Sequence, residues 1–143
     1  MMSVLIVAAA AAAPMPGLAG SWQSMGQARP ISVEYRAISN DLATVERWRT
    51  MSGRETMTVY VDDKAGTVAT HYCAQGNVAT LRTINSSKGK TIFNFVSAQG
   101  VDPGEGVLVR LVLEQTDLKL RRTETYRLDG RDSVETFEFV RVP

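Results

Sequence analysis

The single histidine and the single cysteine of this chain stand two residues apart, as His71 and Cys73. On an extended strand that spacing puts both side chains on one face. An imidazole and a thiolate could share a metal, or work as base and nucleophile. Two ligands do not make a metal site, and there is no second His or Cys to complete one. Strand geometry also separates positions i and i+2 by about 6.5–7 Å at their roots, too far for a direct Cys–His pair. What remains is a packed histidine with one hydrogen-bond partner beside a small buried cysteine, or a histidine that lines a cavity and meets a guest. In either case His71 and Cys73 turn inward and Tyr72 outward.

A second pair is Arg122 and Glu124. Leu118, Leu120, Arg122, Glu124, Tyr126 and Leu128 alternate along one strand face. If that face is the interior, a guanidinium and a carboxylate enter an apolar space, where a charge must be paired or meet a ligand. They then form a polar anchor for a carboxylate- or hydroxyl-bearing guest. If the strand is bulged or flipped, both are solvated.

The elements that would position these residues are short strands. From Gly20 onward about ten runs of β-type residues are separated by turn signals at intervals of roughly eight to twelve residues, the beat of an all-β sandwich or barrel. Arg29-Pro30, Ser39-Asn40-Asp41, Ser52-Gly53, Asp62 to Gly66, Gln75-Gly76-Asn77, Asn85 to Gly89, the loop Gln99 to Gly106, Glu114 to Asp117 and Asp129-Gly130 supply the breaks. No convincing helix interrupts them. The fold class is all-β: a single antiparallel up-and-down meander of about ten strands, which protects its edges best by closing into a barrel. An even strand count lets the first and last strands pair antiparallel.

Period-two alternation then sorts the faces. Val33, Tyr35 and Ala37 oppose Glu34 and Arg36. Met57, Val59 and Val61 form the apolar face of their run against Thr58 and Tyr60. Val107, Val109, Leu111 and Leu113 share a face, as do Phe93 and Phe95. Aromatic residues Trp22, Trp48, Tyr35, Phe93 and Phe95 are the candidate wall and floor of an interior. Alanines at 37, 43, 69, 74, 79 and 98 leave room for a cavity.

Composition narrows the class. The 143 residues are 44% hydrophobic and 22% charged, with sixteen basic against fifteen acidic side chains and a net charge of +1. Such a balance, without basic clusters, offers no field to a nucleic acid. Val4 to Ala13 is an unbroken apolar run with A-x-A sites inside it. It is too short to span a bilayer, which takes ~20 residues, and suits a secretory signal although no Lys or Arg precedes it. The chain therefore divides into a signal peptide at 1–13, a short linker at 14–19 and a barrel domain at 20–143, with a periplasmic or secreted location.

Leu18-Ala19-Gly20-Ser21-Trp22 resembles the G-x-W opening of lipocalin-like (calycin) barrels, in which the tryptophan packs across one end. His71 to Asn77 is similar to an H-Y-C-x-x-G-N motif of uncharacterised bacterial exported proteins with lipocalin-like folds, and Met57-Thr58-Val59-Tyr60 and the closing Phe-Glu-Phe-Val-Arg-Val fit the same pattern. Nitrobindin-type barrels, similar in strand count, hold haem through a histidine near the C-terminal end. This chain has none there, so no cofactor is expected. The resemblance implies fold more than activity.

Three classes of function follow. One is an exported binding barrel that holds a small apolar or amphipathic molecule without catalysis, its ligand-binding residues being His71, Cys73, Trp48, Tyr35, Phe93, Phe95, Arg122 and Glu124. The alternatives are a structural or interaction barrel with a filled core, or an isomerase or hydrolase of a small hydrophobic substrate using His71 as general base with Glu124 or Arg122. N-terminal sequencing of the mature protein should begin near Ala13. An intact Met1 recovered from the cytoplasm would overturn the export reading.

Overall fold

A computed structural model describes residues 12–143, so the apolar run read as a signal peptide lies almost entirely outside the described residues. The rest is a closed antiparallel up-and-down barrel of ten strands, an architecture consistent with a lipocalin-like fold. In chain order these are β1 (Gly20–Ser24), β2 (Ser32–Ile38), β3 (Ala43–Arg49), β4 (Glu55–Asp63), β5 (Gly66–Tyr72), β6 (Val78–Ser87), β7 (Lys90–Gln99), β8 (Val107–Gln115), β9 (Lys119–Leu128) and β10 (Arg131–Val142). Each strand pairs with its sequence neighbours, and β1 closes the ring against β10 from Ser21↔Val142 to Ser24↔Phe139. Closure leaves no strand at the edge of the sheet. The only helical element among the described residues is a single 3₁₀ turn at Pro16–Leu18.

The two ends differ. At the end where β1 starts, the segment expected as a linker packs into the barrel: Leu18 is fully buried and Met15 lies against the core. Trp22 donates from Nε1 to the Leu18 carbonyl at 2.8 Å. Arg141 stacks over the Trp22 ring, 4.2 Å from its centroid, and its guanidinium holds the carbonyls of Gly17, Ala19 and Asp117. Thr44 donates to the Pro14 carbonyl. This end is sealed. The opposite end carries the loops after β1, β3, β5, β7 and β9, and it is open.

Two side-chain patterns depart from simple alternation. On β4 the apolar set does not face the core: Thr58 and Tyr60 are buried, whereas Met57 is 37% exposed. The interior at that height is polar, so the hydrophobic face of the strand turns out. On β8 a bulge at Val109 shifts the register between Leu108 and Arg110, and the buried set becomes Leu108, Leu111 and Leu113. On β7, Phe93 is fully buried and Phe95 is 44% exposed, although both pair in unbroken register with Thr83 and Leu81 of β6; the register shifts lie to either side, between Phe95 and Ser97 and between Ile92 and Phe93. The β7–β8 pairing ends at Asn94↔Arg110, so Phe95 has no β8 partner across from it. A bulge inserts one residue and reverses every face beyond it, which no period-two count anticipates.

Candidate functional site

The middle of the barrel holds a buried ion network. Arg122, on β9, points inward and is fully enclosed; its Nε donates to Glu124 Oε1 at 2.6 Å and its Nη1 to Glu46 Oε2 at 2.5 Å. Glu46 comes from β3, across the barrel. The same guanidinium lies 5.0 Å from the centroid of the Trp48 ring. Arg122 and Glu124 thus occupy the interior face that alternation offers them, and they are paired rather than solvated.

Glu46 accepts on both of its oxygens. Tyr60 donates to its Oε2 at 2.6 Å and Thr58 to its Oε1 at 3.1 Å. Burial pushes the Glu46 carboxyl up, but Arg122 and the Tyr60 hydroxyl outweigh it and hold it below its ordinary range. Burial first, then the facing Glu46, keeps Tyr60 a neutral phenol. Tyr35 also remains neutral, chiefly by burial, and its hydroxyl makes no hydrogen bond to another protein group.

His71 is 1% exposed and stands in the second layer of this network. Its Nδ1 lies 3.0 Å from Thr58 Oγ1, and its Nε2 makes a longer contact, 3.5 Å, with the Tyr126 hydroxyl. The single Thr58 proton goes to the Glu46 carboxylate, which can only accept. Thr58 therefore accepts from His71, so Nδ1 carries the proton and Nε2 is the acceptor for Tyr126 O–H. Burial, and after it the Arg122 charge, lowers the His71 pKa and keeps the ring neutral, as this chain of donors requires.

Above the network the open end forms a cleft of about 590 Å³. Glu124, Tyr126, Trp48 and Phe137 line its depth, and Ile31, Arg54, Leu128 and Glu135 are among its rim residues. Trp48 meets Phe137 edge to face at 5.0 Å, an arrangement that fixes the aromatic wall.

Of the residues singled out in the sequence, Trp48, Glu124 and Arg122 come together, the first two in the cleft and the third directly beneath. Tyr35 and Phe93 instead fill the barrel middle around Tyr60, with ring centroids 6.5 and 5.7 Å from it. His71 reaches the cleft only through Tyr126. Cys73 is half-buried in the turn after β5, where its N–H donates to the Asn77 carbonyl at 3.0 Å, and it does not line the cleft. Phe95 lies apart from this cluster.

The turn explains the rest of the His71–Asn77 segment. Gly76 takes φ +110°, open only to glycine at low cost. Asn77, almost fully buried, donates from Nδ2 to Glu105 Oε2 at 3.1 Å and to the Gly106 carbonyl at 3.2 Å, tying this turn to the loop before β8.

Glu46, Thr58 and Tyr126 complete the site and were not among the sequence candidates. Inward alternation from Trp48 reaches Glu46, and from Tyr60 reaches Thr58; the polar residues on those faces were the available signal.

Two outcomes follow from the network. Arg122→Met strands two buried carboxylates and should cost about 3–5 kcal/mol in urea unfolding, whereas adding Glu46→Leu and Glu124→Leu should recover much of that loss. A loss under about 1 kcal/mol for the single variant would show the carboxylates to be solvated. For pH, the folded His71 pKa lies below the unfolded value, so the unfolded chain takes up the proton first. Stability is then complete above about pH 6.5 and declines as pH falls below it. Glu46 acts in the same sense at lower pH, its contribution being lost as pH drops from the ordinary carboxylate range through its depressed folded value. Melting temperature should therefore fall between pH 7.5 and 5.5, and His71→Gln should flatten that window, since the chain has one histidine. An identical profile for both proteins would assign the decline elsewhere.

Comparison with protein-family models finds no match for this chain, and comparison with curated proteins finds none either.

Proposed function

We propose that this protein is an exported small-molecule-binding barrel whose guest, apolar or amphipathic in body, sits in the cleft at the open end. The observation that carries this reading is the cleft itself. Its volume of about 590 Å³ falls in the range of ordinary ligand sites, and it joins an aromatic wall to a few convergent polar groups. Beneath it the network is held rigid by paired charges, which lowers the ordering cost of binding. The body of the guest rests on Trp48, Phe137, Ile31 and Leu128, and its polar end approaches Glu124 and Tyr126. His71 serves as a positioning residue that orients Tyr126, not as a direct contact or base, because both its ring nitrogens are engaged.

The lipocalin-like (calycin) resemblance of the G-x-W opening and of the His71–Asn77 segment supports the same reading. So does the packing of Trp22 across the sealed end. Export is supported by the apolar run before Pro14. Cleavage that leaves Ala13 preserves the plug around Leu18, whereas cleavage after Ala19 would remove a fully buried side chain.

The packed middle favours a second reading, a filled barrel that acts through its outer surface. Tryptophan fluorescence separates the two, because Trp48 lines the cleft and Trp22 is sealed at the far end. A brominated medium-chain alkanol should quench Trp48 emission saturably, and in Trp48→Phe the remaining Trp22 emission should not respond. No saturable quenching would favour the filled barrel.

A further inference from the structure

Resting on the cleft reading above, we infer that the guest is a small organic cation: a protonated amine or guanidinium carried on an apolar body. The deep end of the cleft presents acceptors. Glu124 is 6% exposed, and one of its oxygens is taken by Arg122. The other oxygen, Oε2, makes no hydrogen bond among the described residues. Across the longer 3.5 Å contact the Tyr126 hydroxyl turns its proton toward His71 Nε2, which carries none. The phenol oxygen then offers lone pairs to whatever lies above it. A guest that ends in N–H groups finds two acceptors here, Glu124 Oε2 and the Tyr126 phenol oxygen, whereas an anionic head would have to settle beside the Glu124 carboxylate.

A second observation is independent of that chain. Glu124 and Glu135 are directly opposed across β9 and β10, and both line the cleft. Directly opposed positions on one face place their Cβ atoms about 4.5–5.5 Å apart, and like charges there repel. The interior network does not relieve this, since Arg122 is already shared by Glu46 and Glu124 and lies below. A cation lodged between the two carboxylates does relieve it. The walls fit as well: Trp48, Tyr126 and Phe137 present aromatic surface, which attracts a cation through the ring quadrupole and an alkyl body through burial. No group of three or more His, Cys, Asp or Glu side chains suited to a metal ion occurs among the described residues, so the organic cation is the better fit. The one cationic lining residue, Arg54, is at the rim, where it meets the guest's outer end rather than its head.

The test is a calorimetric comparison of three probes that share one chain and differ in their heads: octylammonium, octanol and octanoate. Octylammonium should bind at least tenfold tighter than octanol, with octanoate weakest. Raising the salt should shrink the preference only partly, because the carboxylates are recessed. Glu124→Gln should lose the tenfold preference while octanol binding persists, and Glu135→Gln should lose several-fold. Glu135 lies on the exposed rim, so its variant keeps the test decisive should Glu124→Gln fail to fold. Equal binding of octylammonium and octanol, or tighter octanoate, overturns the cation inference and leaves the cleft reading intact. If none of the three binds, both fall.

Discussion

Everything inside this barrel is arranged around the Arg122 guanidinium. Removing an arginine from water costs several kcal/mol unless its donors find acceptors, and a buried ion pair seldom repays that cost in stability. Here Glu46 and Glu124 hold it from two sides and the Trp48 ring from a third. With its acceptors in place, burial no longer deprotonates the group: its pKa stays well above the ordinary value although burial alone would lower it. Each acceptor then imposes a demand of its own. Glu46 needs Tyr60 and Thr58, Thr58 needs His71, and His71 needs Tyr126. One charge thus dictates the polar face of three further strands, β3, β4 and β5, and of the upper part of its own strand, β9.

That demand explains which parts of the molecule were readable in advance. Turn residues depend on local backbone energetics, so the ten strands and their breaks could be read from Gly, Pro, Asn and Asp alone. Ser39, Asn40 and Asp41 all adopt positive φ, at 52°, 55° and 65°, where Asn and Asp are the best tolerated side chains after glycine. Faces are another matter. Alternation assumes that the interior is apolar, and on β4 the interior wants hydroxyls, so the Met57 face turned out to be the outer one. Arg122 and Glu124 could be assigned to the interior from their own strand, because their neighbours Leu120 and Tyr126 share the face. Glu46 shares the alternation of Trp48, but its pairing with Arg122 could not be read, since the two lie 76 residues apart in sequence and only the barrel brings them together. The bulge at Val109 and the shifts near Phe95 carry no local signature of glycine or proline, and they were invisible for that reason.

The ends of the barrel divide the remaining work. At the sealed end the plug is hydrophobic and hydrogen-bonded at once: Leu18 and Trp22 are buried, and Arg141 satisfies carbonyls that the short 3₁₀ turn leaves without intrachain helical partners. This end resists water and fixes the pairing of β1 with β10. At the open end the connections are longer and are latched to one another by Asn77 rather than by a core. Rigidity there comes from below, through the network.

The same asymmetry bears on how a guest could act on the protein. Glu124 faces both ways, toward Arg122 and toward the cleft. A cation drawn to its outer oxygen weakens the Glu124–Arg122 attraction, since one carboxylate then serves two positive charges. Arg122 does not follow it outward, because Glu46 and Trp48 hold the guanidinium from the other sides. The cost of binding is therefore confined to a partial loosening of one charge-assisted hydrogen bond, and the rest of the network stays preorganised. A guest of opposite charge faces a harsher balance. It must approach two carboxylates without displacing either, and the only guanidinium near the floor is already shared between its two acceptors. Selectivity by charge thus starts from how the buried arginine is satisfied, and Glu135 at the rim, opposite Glu124, adds to it.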